Sequence, residues 1–109
     1  MNESWGYNRT DNKYKSAKQV IHYLVNAAGR NANLLLNVGP MPNGQIQKEF
    51  VDTLVATGKW MDKYSETIYG TTGNIIKPQP WGLITRKDKI LYVHILNDTG
   101  ADQIDFTRF

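Results

Sequence analysis

Residue types able to do chemistry concentrate in two stretches, Ser4-Trp5-Gly6-Tyr7-Asn8 and Asn33-Leu34-Leu35-Leu36-Asn37-Val38-Gly39-Pro40, with the carboxylates Glu3 and Asp11 flanking the first. A carboxyl acts as an acid near neutral pH only if burial against aromatic rings or a neighbouring negative charge keeps it protonated. Trp5 and Tyr7 are the rings placed to form such a wall for Asp11. The competing reading is a solvated turn aspartate ahead of a helix, because Asp11 sits among Thr10, Asn12 and Lys13. Metal chemistry is not expected: the chain has no cysteine, and His22 and His94 are too few and too far apart for a cluster. No cofactor is expected either.

The elements that must position these residues come from a chain of 109 residues, enough for one small core. The net charge of +3 is spread over scattered Lys and Arg rather than gathered in a block, which argues against a nucleic-acid partner. No run approaches the ~18 apolar residues of a membrane span, and Met1-Asn2-Glu3-Ser4-Trp5 has neither a basic start nor an apolar stretch. The chain therefore reads as soluble, with no visible address and no membrane partner.

Ala17, Val20, Ile21, Leu24, Val25 and Ala28 recur at steps of three and four, predicting a helix from about Ser16 to Ala28. Ser16 and Gln19 have capping-box spacing, and Gly29 is the expected left-handed stop. Asn33 to Val38 is almost continuously apolar and predicts a strand covered on both faces. A turn-rich loop through Gly44 leads to a second helix from near Ile46, with Ile46, Phe50, Leu54, Val55, Gly58 and Met61 on its packed face. Helix, buried strand and helix are the grammar of an α/β fold.

Beyond Tyr69-Gly70-Thr71-Thr72-Gly73 the pattern turns to strands. A hairpin is expected from Gly82 to Thr85 and Ile90 to Leu96 around Arg86-Lys87-Asp88-Lys89, with both faces partly buried. Ile104, Phe106 and Arg108 alternate in a third strand over Gln103 to Phe109. These strands read as the start of a separate β module, with the boundary near residues 70 to 76.

The two opening stretches, together with Lys15-Ser16, Gly44-Gln45-Ile46, Gly58-Lys59-Trp60 and Ile68-Tyr69-Gly70-Thr71, resemble in order and spacing the α-L-fucosidases of glycoside hydrolase family 29. The resemblance is strong over residues 2 to 72 and weaker from Trp81 onward. It implies the terminal βα units of a (β/α)8 barrel over residues 1–72, and the first antiparallel strands of a β-sandwich over residues 73–109. It also implies retaining release of α-L-fucose, which uses two carboxyl groups roughly 5 Å apart, one as nucleophile and one as acid/base. The family nucleophile lies upstream of the Trp-Gly-Tyr segment and has no counterpart here. The acid/base loop of the family corresponds to the loop holding Asp11, with Glu3 the rival. Trp5 and Tyr7 would stack on a sugar face or plug the barrel top. Leu34 would line the pocket for the fucose methyl group, or serve as ordinary barrel core. His22 and His94 read as structural. Asn8-Arg9-Thr10 and Asn97-Asp98-Thr99 match the glycosylation pattern, which acts only on a secretory route.

A whole barrel takes about 250 residues, so the resemblance implies a partner. A lone strand at residues 33–38 would leave backbone groups unpaired, each costing about 1–3 kcal/mol if buried dry. Association is therefore expected with further copies of the chain or with a complementing N-terminal barrel portion. If the hairpin instead folds back onto residues 33–38, a compact α+β domain results. The alternative to an enzyme is a non-catalytic remnant that binds fucose weakly or serves as a structural piece.

Overall fold

The computed structural model describes residues 1–97. The chain order is helix α1 (Ala17–Gly29), helix α2 (Lys48–Tyr64), a 3-10 turn (Ser65–Thr67), and strands β1 (Gly82–Lys87) and β2 (Ile90–Ile95). The contacts divide into two units, one of Met1–Tyr23 with Leu34–Ser65, the other of Leu24–Asn33 with the residues from Glu66 onward. The expected third strand lies outside the described residues, as does most of the second glycosylation triplet. No helix among the described residues is long and apolar enough to cross a membrane.

In the first unit, α1 opens with the reciprocal bonds of a capping box. The Ser16 N–H donates to Gln19 Oε1 at 2.8 Å, and the Gln19 N–H donates to Ser16 Oγ at 3.2 Å. Val20 on this helix meets Met1 and Phe50 in a small core, with Tyr14, Leu36 and Val38 packed around it. Phe50 anchors α2, and the Tyr14 ring stands edge-on to it at 5.6 Å and 79°.

Residues 33–38 form no strand. Their partners come from the first residues of the chain: the Met1 ammonium donates to Asn37 O at 2.7 Å, and Asn37 Nδ2 donates to Trp5 O at 2.6 Å. Leu36 and Val38 turn to the core while Leu35 stands 92% exposed, so the run is covered on one side only. Apolar content on both sides predicted a doubly covered strand, but a ladder needs neighbouring strands, and β1 and β2 pair with each other.

The packed face of α2 also differs from the periodicity. The helix starts at Lys48, close to the expected Ile46, but Ile46, Leu54 and Val55 are exposed. Phe50, Gly58 and Met61 of the expected face are buried or half-buried, and half-buried Thr53 and Thr57 join them. The two threonines make this possible by satisfying their hydroxyls on backbone, Thr53 on Lys15 O at 3.2 Å and Thr57 on Thr53 O at 2.8 Å.

In the second unit, α1 ends differently from expectation. The Ala32 N–H reaches Ala27 O at 2.8 Å and the Asn31 N–H reaches Ala28 O at 3.0 Å, the bond pair of a Schellman motif, with Asn31 at φ 59° as its left-handed residue. Asn31 adds a bond no glycine can make, accepting from the Gly73 N–H at 3.2 Å. Gly29 is needed for space: a Cβ there would lie 2.7 Å from the Leu83 side chain.

The hairpin runs in the register Gly82↔Ile95 to Lys87↔Ile90 and turns at Asp88, φ 54°. Its first strand runs two residues further toward the turn than expected, and its second starts at Ile90 as expected. Both faces are partly buried, as expected: Leu83, Thr85 and His94 are buried on one, and Ile84 is buried on the other, where Leu91, Val93 and Ile95 are exposed. The Thr85 hydroxyl donates to Thr67 O at 2.7 Å and its oxygen lies 2.9 Å from His94 Nε2, which joins the two strands inside the buried face. Burial holds the His94 pKa below its usual value, partly opposed by its bond to the Thr67 backbone.

Two predictions follow from this unit. Asn31→Ala removes the short polar side chain that tolerates the left-handed region and orphans the Gly73 N–H, so it lowers stability in urea unfolding by about 1–3 kcal/mol; Asn31→Gly, keeping the backbone freedom, lowers it less. His94 titrates below ~6.5 in the folded chain. Because the unfolded chain takes up the proton first, stability is complete above ~6.5 and falls as pH drops toward the folded value. Histidine-ring NMR titration locates that midpoint, and hairpin amides exchange faster over the same window.

Candidate functional site

Asp11 is the hub of the Glu3–Lys13 loop. Its Oδ2 accepts the Ser4 hydroxyl at 2.7 Å and the Glu3 N–H at 3.1 Å, and its Oδ1 accepts the Lys13 N–H at 3.1 Å. The last bond spans two residues, an Asx turn that the sequence of a turn aspartate favours. The Asp11 N–H in turn donates to Asn8 O at 3.1 Å, and Asn8 Oδ1 accepts from both the backbone and hydroxyl of Thr10. The loop is thus tied across its mouth and along its length by short polar side chains.

These donors stabilise the charged form. The Ser4 hydroxyl first, then the Lys13 backbone, hold the Asp11 pKa below the ordinary carboxylate range. In the chain as it stands Asp11 is an ionised carboxylate, with the electronic character of a base. Glu3, the rival, turns its carboxylate to Lys13 Nζ at 3.6 Å, both side chains being exposed.

The two chemistry-bearing stretches meet. Asn37 Nδ2 holds Trp5 O, and Gly39 packs so closely on Gly6 that a Cβ at Gly39 would lie 2.7 to 2.9 Å from the backbone of Gly6 and Tyr7. The contact leaves Trp5 84% exposed and Tyr7 half-buried. Leu34 is 37% exposed; Leu36 and Val38 of the same run enter the core in its place. His22 lies half-buried on α1 and His94 is buried in the hairpin, away from the loop in sequence and in role. Among the described residues no group of His, Cys, Asp and Glu is arranged to hold a metal ion.

Sequence reasoning did not find Ser4 as the donor to Asp11, because a contact over seven loop residues leaves no periodic trace. Asn37 did leave one: a lone amide inside an apolar run, which the reading of a buried strand passed over.

The geometry agrees with known structures. The chain matches α-L-fucosidase isoenzyme 1 from Paenibacillus thiaminolyticus with a TM-score of 0.83 and 40% identity, over 87% of this chain and 23% of that one. It matches the Thermotoga maritima α-fucosidase solved in complex with fucose with a TM-score of 0.73 and 34% identity, over 80% of this chain and 22% of that one. Among curated proteins, a putative α-L-fucosidase of Caenorhabditis elegans is 36% identical over 107 residues, 95% of this chain and 18% of its own. Human plasma α-L-fucosidase is 30% identical over 108 residues, 93% of this chain and 23% of its own. The α-L-fucosidase family model matches residues 1–66, and the chain belongs to that glycoside hydrolase family. It spans less than a quarter of the length of these relatives.

Carbon-detected NMR titration of Asp11 is expected to give a midpoint below ~3.9, and Ser4→Ala to move it upward. The sign for stability follows: the contribution is present above ~3.9 and is lost as pH falls through the folded value. A midpoint unmoved by Ser4→Ala would show that the hydroxyl does not set the charge state.

Proposed function

We propose that this chain is the C-terminal part of a retaining α-L-fucosidase, acting on terminal α-L-fucose of glycans, with Asp11 as the acid/base. Residues 1–72 correspond in this reading to the last βα units of the catalytic (β/α)8 barrel, and residues 73–109 to the start of the β-sandwich. The observation that carries it is the Asp11 loop fastened to the second family stretch through Asn37 and Gly39, in a chain whose family is known. Trp5 offers an exposed ring to a sugar face, Tyr7 borders it, and Leu34 lies at the start of the run that would edge the fucose methyl pocket.

The lowered Asp11 pKa fits half of this mechanism. As a base, an ionised carboxylate activates water in the second step without further change. As an acid in the first step it must hold a proton, and a second carboxylate about 5 Å away raises its pKa by like-charge repulsion. That second group is the nucleophile, which this chain does not contain. It comes, in this reading, from a complementing N-terminal barrel portion. The one-sided cover of residues 33–38 and the exposed Leu35 support such an association.

A non-catalytic reading is favoured by the same shift, since Asp11 by itself is not a proton donor. In that case the chain binds fucose weakly or is a structural piece.

Hydrolysis of an aryl α-L-fucoside decides between them. Mixed with the N-terminal three-quarters of a fucosidase relative, the chain is expected to restore turnover, and Asp11→Asn to lower it by about 10²- to 10⁴-fold. If the mixture is inactive, or the variant equals the parent, the catalytic reading fails. Fucose-induced NMR shifts at Trp5 and Tyr7 then distinguish weak binding from a purely structural role.

A further inference from the structure

The Asp11 loop forms one wall of a cleft that the fucosidase reading leaves unused. Glu3, Lys13, Tyr14, Lys15, Gln19 and Tyr23 line an open cavity of about 290 Å³, near the lower end of the range for small-molecule sites. Gln19 and Tyr23 lie one turn apart on α1 and so share a face. Tyr14 is fixed by its edge contact with Phe50 and by the Gln47 Nε2 bond to its hydroxyl at 3.4 Å. Glu3 and Lys13 give their backbone N–H groups to Asp11, so cleft and carboxylate share a wall.

The chemistry of the lining is specific. Tyr23 is 46% exposed, and its ring suits the C–H face of a pyranose. Gln19 commits Oε1 to the helix cap, which leaves its amide N–H groups as donors. Lys15 Nζ spends one N–H on Asn2 O at 3.0 Å and has others to give. Lys13 meets Glu3 only at 3.6 Å, with both side chains largely in solvent, a pairing of little strength. The first turn of α1 has no acidic residue, so its positive end adds to the two ammonium groups. Opposing them are Glu3 and Asp11, and Asp11 is already engaged by three donors.

We propose that this cleft binds a sugar carrying an anionic group, carboxylate or sulfate, with the anion on Lys13 and Lys15 and the ring on Tyr23. The assignment rests on the fucosidase reading in one respect, that the bound sugar would lie on the leaving side of the bond Asp11 serves.

Isotope-labelled full chain is titrated with methyl glucuronide, glucose 6-sulfate, methyl glucoside and inorganic sulfate, following backbone amides by NMR. The acidic sugars are expected to give saturable shifts at Lys13, Lys15, Gln19 and Tyr23, weakened by salt, with methyl glucoside binding about tenfold less tightly. The carboxylate and sulfate arms show which anion is preferred. Lys13→Gln, at an exposed position and with its N–H to Asp11 kept, is expected to weaken acidic sugars about tenfold, the loss of one charge-assisted bond, and to leave methyl glucoside unchanged. Tyr23→Ala is expected to weaken both kinds of sugar. Equal binding of neutral and acidic sugars, an absence of saturable shifts, or inorganic sulfate matching the sugar sulfate with Tyr23→Ala silent would each overturn the proposal. Binding is read here without turnover, so failure of this site and failure of the fucosidase reading are separate results.

Discussion

Three donors converge on the Asp11 carboxylate, and the organisation of the first unit follows from that convergence. A loop from Glu3 to Lys13 without regular structure has no ladder to satisfy its backbone, so side chains must do it. Asp11 draws in both ends, and Asn8 and Thr10 order the middle. Only a loop held in this way presents fixed backbone at Trp5 and Gly6 for Asn37 and Gly39 to engage. The interaction that shapes the loop also sets the charge of its carboxylate.

That coupling has a consequence for chemistry. Hydrogen-bond donors that position a carboxylate also lower its pKa, and the two effects cannot be separated by moving a donor. An acid/base residue built this way is well placed but electronically incomplete until a second negative charge approaches. In the proposed fucosidase reading, the protonated state of Asp11 would depend on the nucleophile's approach, and acid chemistry would stay off until the site is whole.

What the sequence disclosed depended on the range of each interaction. The capping box of Ser16 and Gln19 is local and formed as spaced. The helix bodies and the hairpin, also set by near neighbours, lie within a few residues of expectation. Residues 33–38 failed as a strand because a strand is a property of its neighbours, which no pattern inside the run can supply. Gly29 and Asn31 exchanged roles for a similar reason. Left-handed stops favour glycine on local grounds, but Leu83 claims the space beside Gly29, and Gly73 gives the Asn31 side chain a partner. At the candidate Asp11, the turn character was legible in its neighbours and the charge state was not, because that depends on Ser4 across the loop.

The inward threonines of α2 carry the argument one step further. A helix face filled by Thr53 and Thr57 reads as polar, and its outer stripe of Val51, Leu54 and Val55 reads as core. Hydroxyls that find backbone acceptors can be buried at little cost, whereas aliphatic side chains left in water forgo about 25 cal/mol for each Å² of apolar surface. The inward side of α2 therefore mixes Phe50 and Met61 with two threonines, while Val51, Leu54 and Val55 stay exposed. Periodicity found Phe50 and Met61 on the inward side and missed the threonines between them, because satisfied hydroxyls leave no apolar trace.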